Sequence, residues 1–229
     1  MIAVFVNTLA VLLGSSIGIL FRSRLKPELR DAVMKALGLC TVLIGIQSGL
    51  GTQRLLCVIL CLVFGTVLGE LLHLDDRLER AGDSIKKQLA KRGIETGRFT
   101  DGFVSASILF CIGSMTIMGS LEAGIRHDYS IIYAKSLMDL MSSMAFGAAM
   151  GIGVTCSALF VLVFQGTLTL LAAWLGGALS EAVVTEMSAV GGVILIGMAI
   201  NLLGLSKEKI RVANMLPGIF LPIAYLAVF

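Results

Sequence analysis

Apolar residues run through this chain in long blocks, separated by short polar stretches rather than alternating with them. A membrane-crossing helix needs roughly 17–25 mostly apolar residues. Eight stretches meet that length: 2–21, 33–50, 55–72, 102–121, 129–154, 157–176, 187–205 and 212–229. In each, apolar side chains surround the helix axis instead of forming one stripe, as suits helices bathed in lipid and neighbours. The ten-residue alternating strands of a β-barrel are not visible. The pattern predicts an all-α polytopic transmembrane bundle of about eight spans, forming a single domain over residues 1–229. The first stretch lacks a basic leading region and a small-residue cleavage site, so it reads as a retained span.

Residues 74–93 break the pattern. Leu74, Leu78, Ala81, Ile85 and Leu89 recur about one turn apart and predict an amphipathic helix. Asp76/Arg80 and Asp83/Lys87 are acid-before-base pairs four residues apart. Residues 73–101 therefore read as a cytoplasmic linker, lying on the leaflet or on the bundle. A partner-docking role is the alternative.

Composition narrows the class. Apolar residues make up 57% of the chain and charged residues only 14%, against roughly a quarter charged in soluble domains. That excludes a water-soluble protein, a nucleic-acid binder and a disordered chain. The net charge of +3 says little, but its distribution says more. Lys and Arg in short loops mark the cytoplasmic side. With eight spans, fifteen cations fall on one side, in the loops after the first, third and seventh spans. Arg54 and Arg126 fall on the other, and Lys135 lies inside a span. Both termini then lie outside the cytoplasm.

The chain also repeats itself. Leu43-Ile44-Gly45 returns as Leu195-Ile196-Gly197, Gly65 matches Gly218, and Thr8-Leu9 matches Thr167-Leu168. Matched spans are five apart, so the two triplets would cross in opposite senses, the pattern of an inverted three-helix repeat. The chain then divides into a first triplet (1–72), the linker (73–101), a central pair (102–154) and a second triplet (155–229). Short apolar identities arise easily by chance, so parity and loop charge carry more of this reading than identity does.

The run Gly113-Ser114-Met115-Thr116-Ile117-Met118-Gly119-Ser120-Leu121-Glu122-Ala123-Gly124 resembles a signature of the YqgA/YdfK-like family of uncharacterised bacterial integral membrane proteins. Lys135-Ser136-Leu137-Met138-Asp139, Gln165-Gly166-Thr167-Leu168-Thr169 and Asn214-Met215-Leu216-Pro217 resemble others. The likeness covers the chain from Asn7 onward and implies the inner membrane. The family has no established function, though it is sometimes labelled a candidate sodium channel or pump. It brings no site residues with it.

Candidate chemistry starts with ionisable groups inside a span, each costing about 2.5–3.5 kcal/mol on insertion scales. Lys135 and Asp139 lie four apart on one face of the fifth span and can pair. Two readings stand. The pair is a structural tie, or Asp139 binds a cation or proton that Lys135 competes with, helped by the hydroxyls of Ser136 and Ser143. Asn7, Gln47, Gln165 and Asn201 lie on the first, second, sixth and seventh spans, with Asn7 near Gln165 and Gln47 near Asn201 in the repeat register. They either pack helices together or, with Ser114, Thr116 and Ser120, line a polar pathway. Gly14/Gly18, Gly65/Gly69 and Gly147/Gly151 have the spacing of close helix approach. Gly113 and Gly119, or Pro217 and Pro222, could instead mark a discontinuous helix. Glu70 reads as reaching the interface, and Glu122/Arg126 as a surface pair.

His73 and His127 fall on opposite sides, and the five cysteines lie in or at the edge of spans. No catalytic motif or metal-ligand spacing is present, so no enzyme, metal or cofactor is expected. The sequence therefore predicts a membrane transporter or channel for a small ion or solute, cation- or proton-coupled. Its partners would be the bilayer, that ion or solute, and further copies of itself. The alternative is a non-transporting scaffold or sensor signalling through the 74–93 helix.

Overall fold

The computed structural model describes residues 1–22, 26–91, 98–111, 114–175 and 180–228. Among the described residues every regular element is helical. They are α1 (Ile2–Arg22), α2 (Pro27–Gly49), α3 (Leu55–Leu71), α4 (Leu74–Lys91), α5 (Phe99–Cys111), α6 (Ser114–Ile125), α7 (Ser130–Met150), α8 (Ile152–Leu175) and α9 (Glu181–Leu203), then a 3-10 helix (Val212–Ile219) and α10 (Leu221–Val228). Local chemistry sets several ends. Pro27 opens α2, where its missing N–H costs nothing. Ser180 accepts the Val183 N–H at the start of α9. Gly204, at φ +66°, ends α9 in the left-handed turn that glycine adopts freely.

Among the described residues, four helices are long and apolar enough to cross a membrane: α1, α8 from Ile152 to Ala172, α9 and the part of α2 from Asp31. Two bent pairs, α3 with α4 and α5 with α6, each meet at 56°, and counting each as one span gives six. The structure thus differs in places from eight continuous spans. The fourth stretch is broken between α5 and α6, and residues 112–113 lie outside the described ones. The fifth, α7, has 21 residues, but Lys135, Asp139 and its serines dilute its apolar content. It ends at Met150 rather than Val154, because Gly151 at φ +84° stops the helix. The eighth is a 3-10 helix containing Pro217, followed by an eight-residue α10. Proline removes the N–H that a continuous α-helix would use there.

Helix α9 is the centre of the bundle, with 72% of its apolar window buried against 22% for α2. Its main crossing is with α2. A Cβ on Gly45 would lie 2.7 Å from the Gly192 carbonyl oxygen, and one on Gly192 would lie 2.6 Å from that of Gly45. Each glycine makes room for the other's backbone. The helices run antiparallel there, since Gly38 meets Leu203 while Thr52 meets Glu186. The same holds for α3 against the 3-10 helix, where Gly65 meets Gly218 and Gly69 meets Asn214. Helix α1 runs parallel to α7 in the same close fashion: Gly14 abuts Leu140, Gly147 abuts Ser15, and Gly18 abuts Met144. Gly151 is a chain-break residue against Arg22 rather than a helix-packing one.

The amphipathic helix α4 docks on the bundle, with Leu78, Ile85 and Leu89 against the core. Its foreseen i,i+4 ion pairs are replaced by other bonds. Asp83 accepts the Thr100 hydroxyl at 2.7 Å, and Arg80 donates to the Asp76 carbonyl at 3.0 Å.

Candidate functional site

The close α1–α7 approach turns one face of α7 into the protein. Lys135 donates to the Asp139 carboxylate, and their side chains are only 8% and 11% exposed. The Asn7 side chain of α1 lies beside the Asp139 carboxylate. The Asn7 amide donates to Gln165 Oε1 of α8 at 2.9 Å. A polar chain therefore runs Lys135–Asp139–Asn7–Gln165 across three helices. Asn7 Oδ1 and Gln165 Nε2 have no hydrogen-bond partner, and both residues are fully buried.

One side of this chain opens onto a cavity of about 770 Å³. Its polar wall comes from Gln47 of α2, Thr116 of α6, Lys135, Asp139 and Ser142 of α7, and Ser188 of α9. Thr116 has a second task. Its hydroxyl donates to the Phe110 carbonyl at 3.1 Å, across the α5–α6 break, and so satisfies a backbone group the helix no longer serves.

The other sequence candidates are dispersed. Ser136 and Ser143 donate to Ile132 and Leu140 carbonyls on their own helix, at 2.7 and 3.0 Å. Neither residue lines the cavity. Ser120 is buried without a hydrogen-bond partner and does not line the cavity. Ser114 opens α6, and its side-chain surroundings lie outside the described residues. Asn201 does not meet Gln47. Its amide exchanges two bonds with the Ile210 backbone, at 2.8 and 2.9 Å, and it lines a second cavity of about 270 Å³ near Arg98, Lys207 and Lys209. Glu70 pairs with Arg211 at 3.2 Å and accepts from Asn214. Glu122 and Arg126 pair at 3.1 Å on the surface.

Two buried carboxylates escaped the sequence reading. Glu186 of α9 is 2% exposed. It accepts the Thr52 hydroxyl at 2.5 Å and the Gln53 and Arg54 N–H groups at 2.9 and 3.1 Å, capping the start of α3. Asp75 of α4 accepts the Ala213 N–H at 3.2 Å at the start of the 3-10 helix, while its own N–H donates to Asn214 Oδ1 at 2.7 Å. Burial pushes the Asp75 carboxyl above its ordinary range and nearby Glu79 adds to this, against the Ala213 N–H, Lys209 and Arg211. Burial works against a charged Lys209, but its bond to the Glu79 carboxylate, with Asp101 and Asp75 close by, outweighs it and raises the ammonium's pKa. On the opposite face, the hydroxyl and N–H of Ser130 hold the Asp128 carboxyl below its ordinary range. Both missed carboxylates sit at the edge of an apolar run, where sequence suggests only an interfacial charge.

Residues 2–227 match the family described as a protein of unknown function, DUF554. The chain is 29% identical over 222 residues to the uncharacterized membrane protein YdfK of Bacillus subtilis (strain 168), covering 94% of this chain and 91% of that protein. It is 29% identical over 220 residues to the uncharacterized protein YqgA of Escherichia coli (strain K12), covering 95% of this chain and 92% of that one. No solved structure matches the chain.

Proposed function

The chain belongs to the DUF554 family of proteins of unknown function, and we propose that it is an inner-membrane passage for a small ion or solute, with Asp139 as the group the permeating species meets. The observation that carries this reading is the cavity reaching a buried ion pair. Taking two charges out of water costs several kcal/mol per ion even when they pair, and a cavity at the pair lowers that cost while giving a solute access to it. Here both members of the pair form cavity wall, beside Gln47, Thr116 and Ser188.

The same reading includes eight crossings, both termini outside the cytoplasm, and an inverted repeat. The helix senses support it. Parallel α1 and α7, antiparallel α2 and α9, and antiparallel α3 and 3-10 helix are what the parity of eight crossings requires. Lys209 and Arg211 bond to Glu79 and Glu70, gathering the loop after α9 and the helix α4 at one end. Glu186 and residues 52–54 gather at the other. The reciprocal Gly45/Gly192 approach and the approach of Gly65 to Gly218 join the members expected to be related by the repeat. Glu186 and Asp75 cap the starts of two such related segments, one at each end.

The test is flux in reconstituted vesicles, challenged in turn with sodium, potassium, proton and chloride gradients. Wild-type protein should pass at least one of these, and Asp139→Asn should reduce that flux at least tenfold at equal reconstitution. Wild-type flux in Asp139→Asn, or none of the four moved by the wild type, overturns the reading.

A further inference from the structure

The second cavity lies at the other end of the helices that line the first. Its walls include Ser105 and Ile108 of α5, Met150 closing α7, and Met198 and Asn201 of α9. The first cavity is lined by Leu109 and Phe110 of α5, Ser142 of α7 and Ser188 of α9. At 1.5 Å of rise per residue, the linings stand ~12 Å apart along α7 and ~15 Å apart along α9. On α5 they abut: Ile108 belongs to one cavity and Leu109 to the other.

What separates them is apolar. Phe110 and Phe146 meet edge to face with ring centroids 6.5 Å apart, and Ile194 and Leu195 are buried on the α9 side. Leu109 packs against both of the larger apolar clusters. An apolar constriction between two polar vestibules stops ions by excluding water. On α5 the two linings adjoin at Ile108 and Leu109, and this last turn is anchored to α6 by the bond from Thr116 to the Phe110 carbonyl. The charged groups sit at the two ends, Lys135 and Asp139 in one cavity and Arg98, Asp101 and Lys209 in the other.

We infer that the two cavities are the half-paths of one route along α5, and that the last turn of α5, residues 108–110, is its gate. As a route for transport this rests on the proposed function. As geometry it is tested without any transported species.

In a chain with Cys40, Cys57, Cys61, Cys111 and Cys156 replaced by Ala, single Thr185→Cys and Ser105→Cys variants are exposed to a membrane-impermeant thiol reagent, in right-side-out spheroplasts and in inverted vesicles. Thr185→Cys should react from the outer face only and Ser105→Cys from the cytoplasmic face only. Reaction of both from one face, or of Ser105→Cys from neither, overturns the inference. The gate is tested by Thr116→Val and Phe110→Ala in vesicles carrying sodium, potassium or chloride gradients. Each folded variant should leak at least fivefold faster than wild type, and wild-type rates in both remove residues 108–110 as the gate. Failure of the Asp139→Asn test with two-sided labelling intact would sink the proposed function alone.

Discussion

Lys135 and Asp139 stand one helical turn apart on the buried face of α7, and each charge is tolerated there because the other is there. Removing one partner leaves a buried charge uncompensated, which costs about 3–5 kcal/mol when such pairs are broken. Lys135→Met is therefore expected to lower thermal stability in detergent by that order. Lys135→Met combined with Asp139→Leu should recover most of it. A double variant no more stable than the single one would mean that the pair is not an energetic unit. The pair was legible in the sequence because two opposite charges four apart in an apolar run have few ways to survive. Asn7 with Gln165 was legible too, through their common place in the repeat register. Glu186 and Asp75 were not. Their partners lie 132–139 positions away, and nothing local separates a carboxylate capping a distant helix from one wetted at the interface. The hydroxyls of Ser136 and Ser143 donate to the preceding turn, as a serine inside a helix can.

Among the elements, the long apolar helices followed directly from run length, and α4 from its one-sided periodicity. The interruptions were legible only as alternatives. Whether Pro217 kinks an α-helix or sits in a 3-10 segment depends on what packs against it, here the glycines of α3. The break between α5 and α6 depends likewise on Thr116 reaching back six residues. The α2–α9 crossing makes a sharper demand on side-chain size. At Gly192 a Cβ meets the Gly45 carbonyl and the Gly49 nitrogen at 2.6 Å, and backbone cannot step aside as a flexible side chain can. Gly192→Val is expected to cost about 1–3 kcal/mol through overpacking. Gly204→Ala, at a site with open space but φ +66°, should cost less. Thermal unfolding of the two in the same detergent checks the order, and equal losses would contradict the crossing.

On the scale of the whole molecule, the strongest sequence signal was where the cations fall, fifteen on one side against two. With the proposed eight crossings it sets the orientation, so a C-terminal alkaline phosphatase fusion should be active and a C-terminal green fluorescent protein fusion dark. The reverse pattern would refute that topology. The cavity, by contrast, could not be read from the sequence. It arises from the volume left between five packed helices, and no spacing along one helix specifies it. The Gly45/Gly192 crossing has a mechanical consequence for that volume. The two backbones touch there, with the Ile196 and Ser48 side chains beside them, so the crossing is the fulcrum about which α2 would tilt. On α2 the arm from Gly45 to Pro27 is ~27 Å long, so a tilt of roughly 10° about the fulcrum swings its far end by ~5 Å. The short arm beyond Gly45, which carries Gln47 and Ser48 in the cavity wall, would move by only ~1 Å for the same tilt. A lever of those proportions gives large travel at one membrane face and fine adjustment at the other.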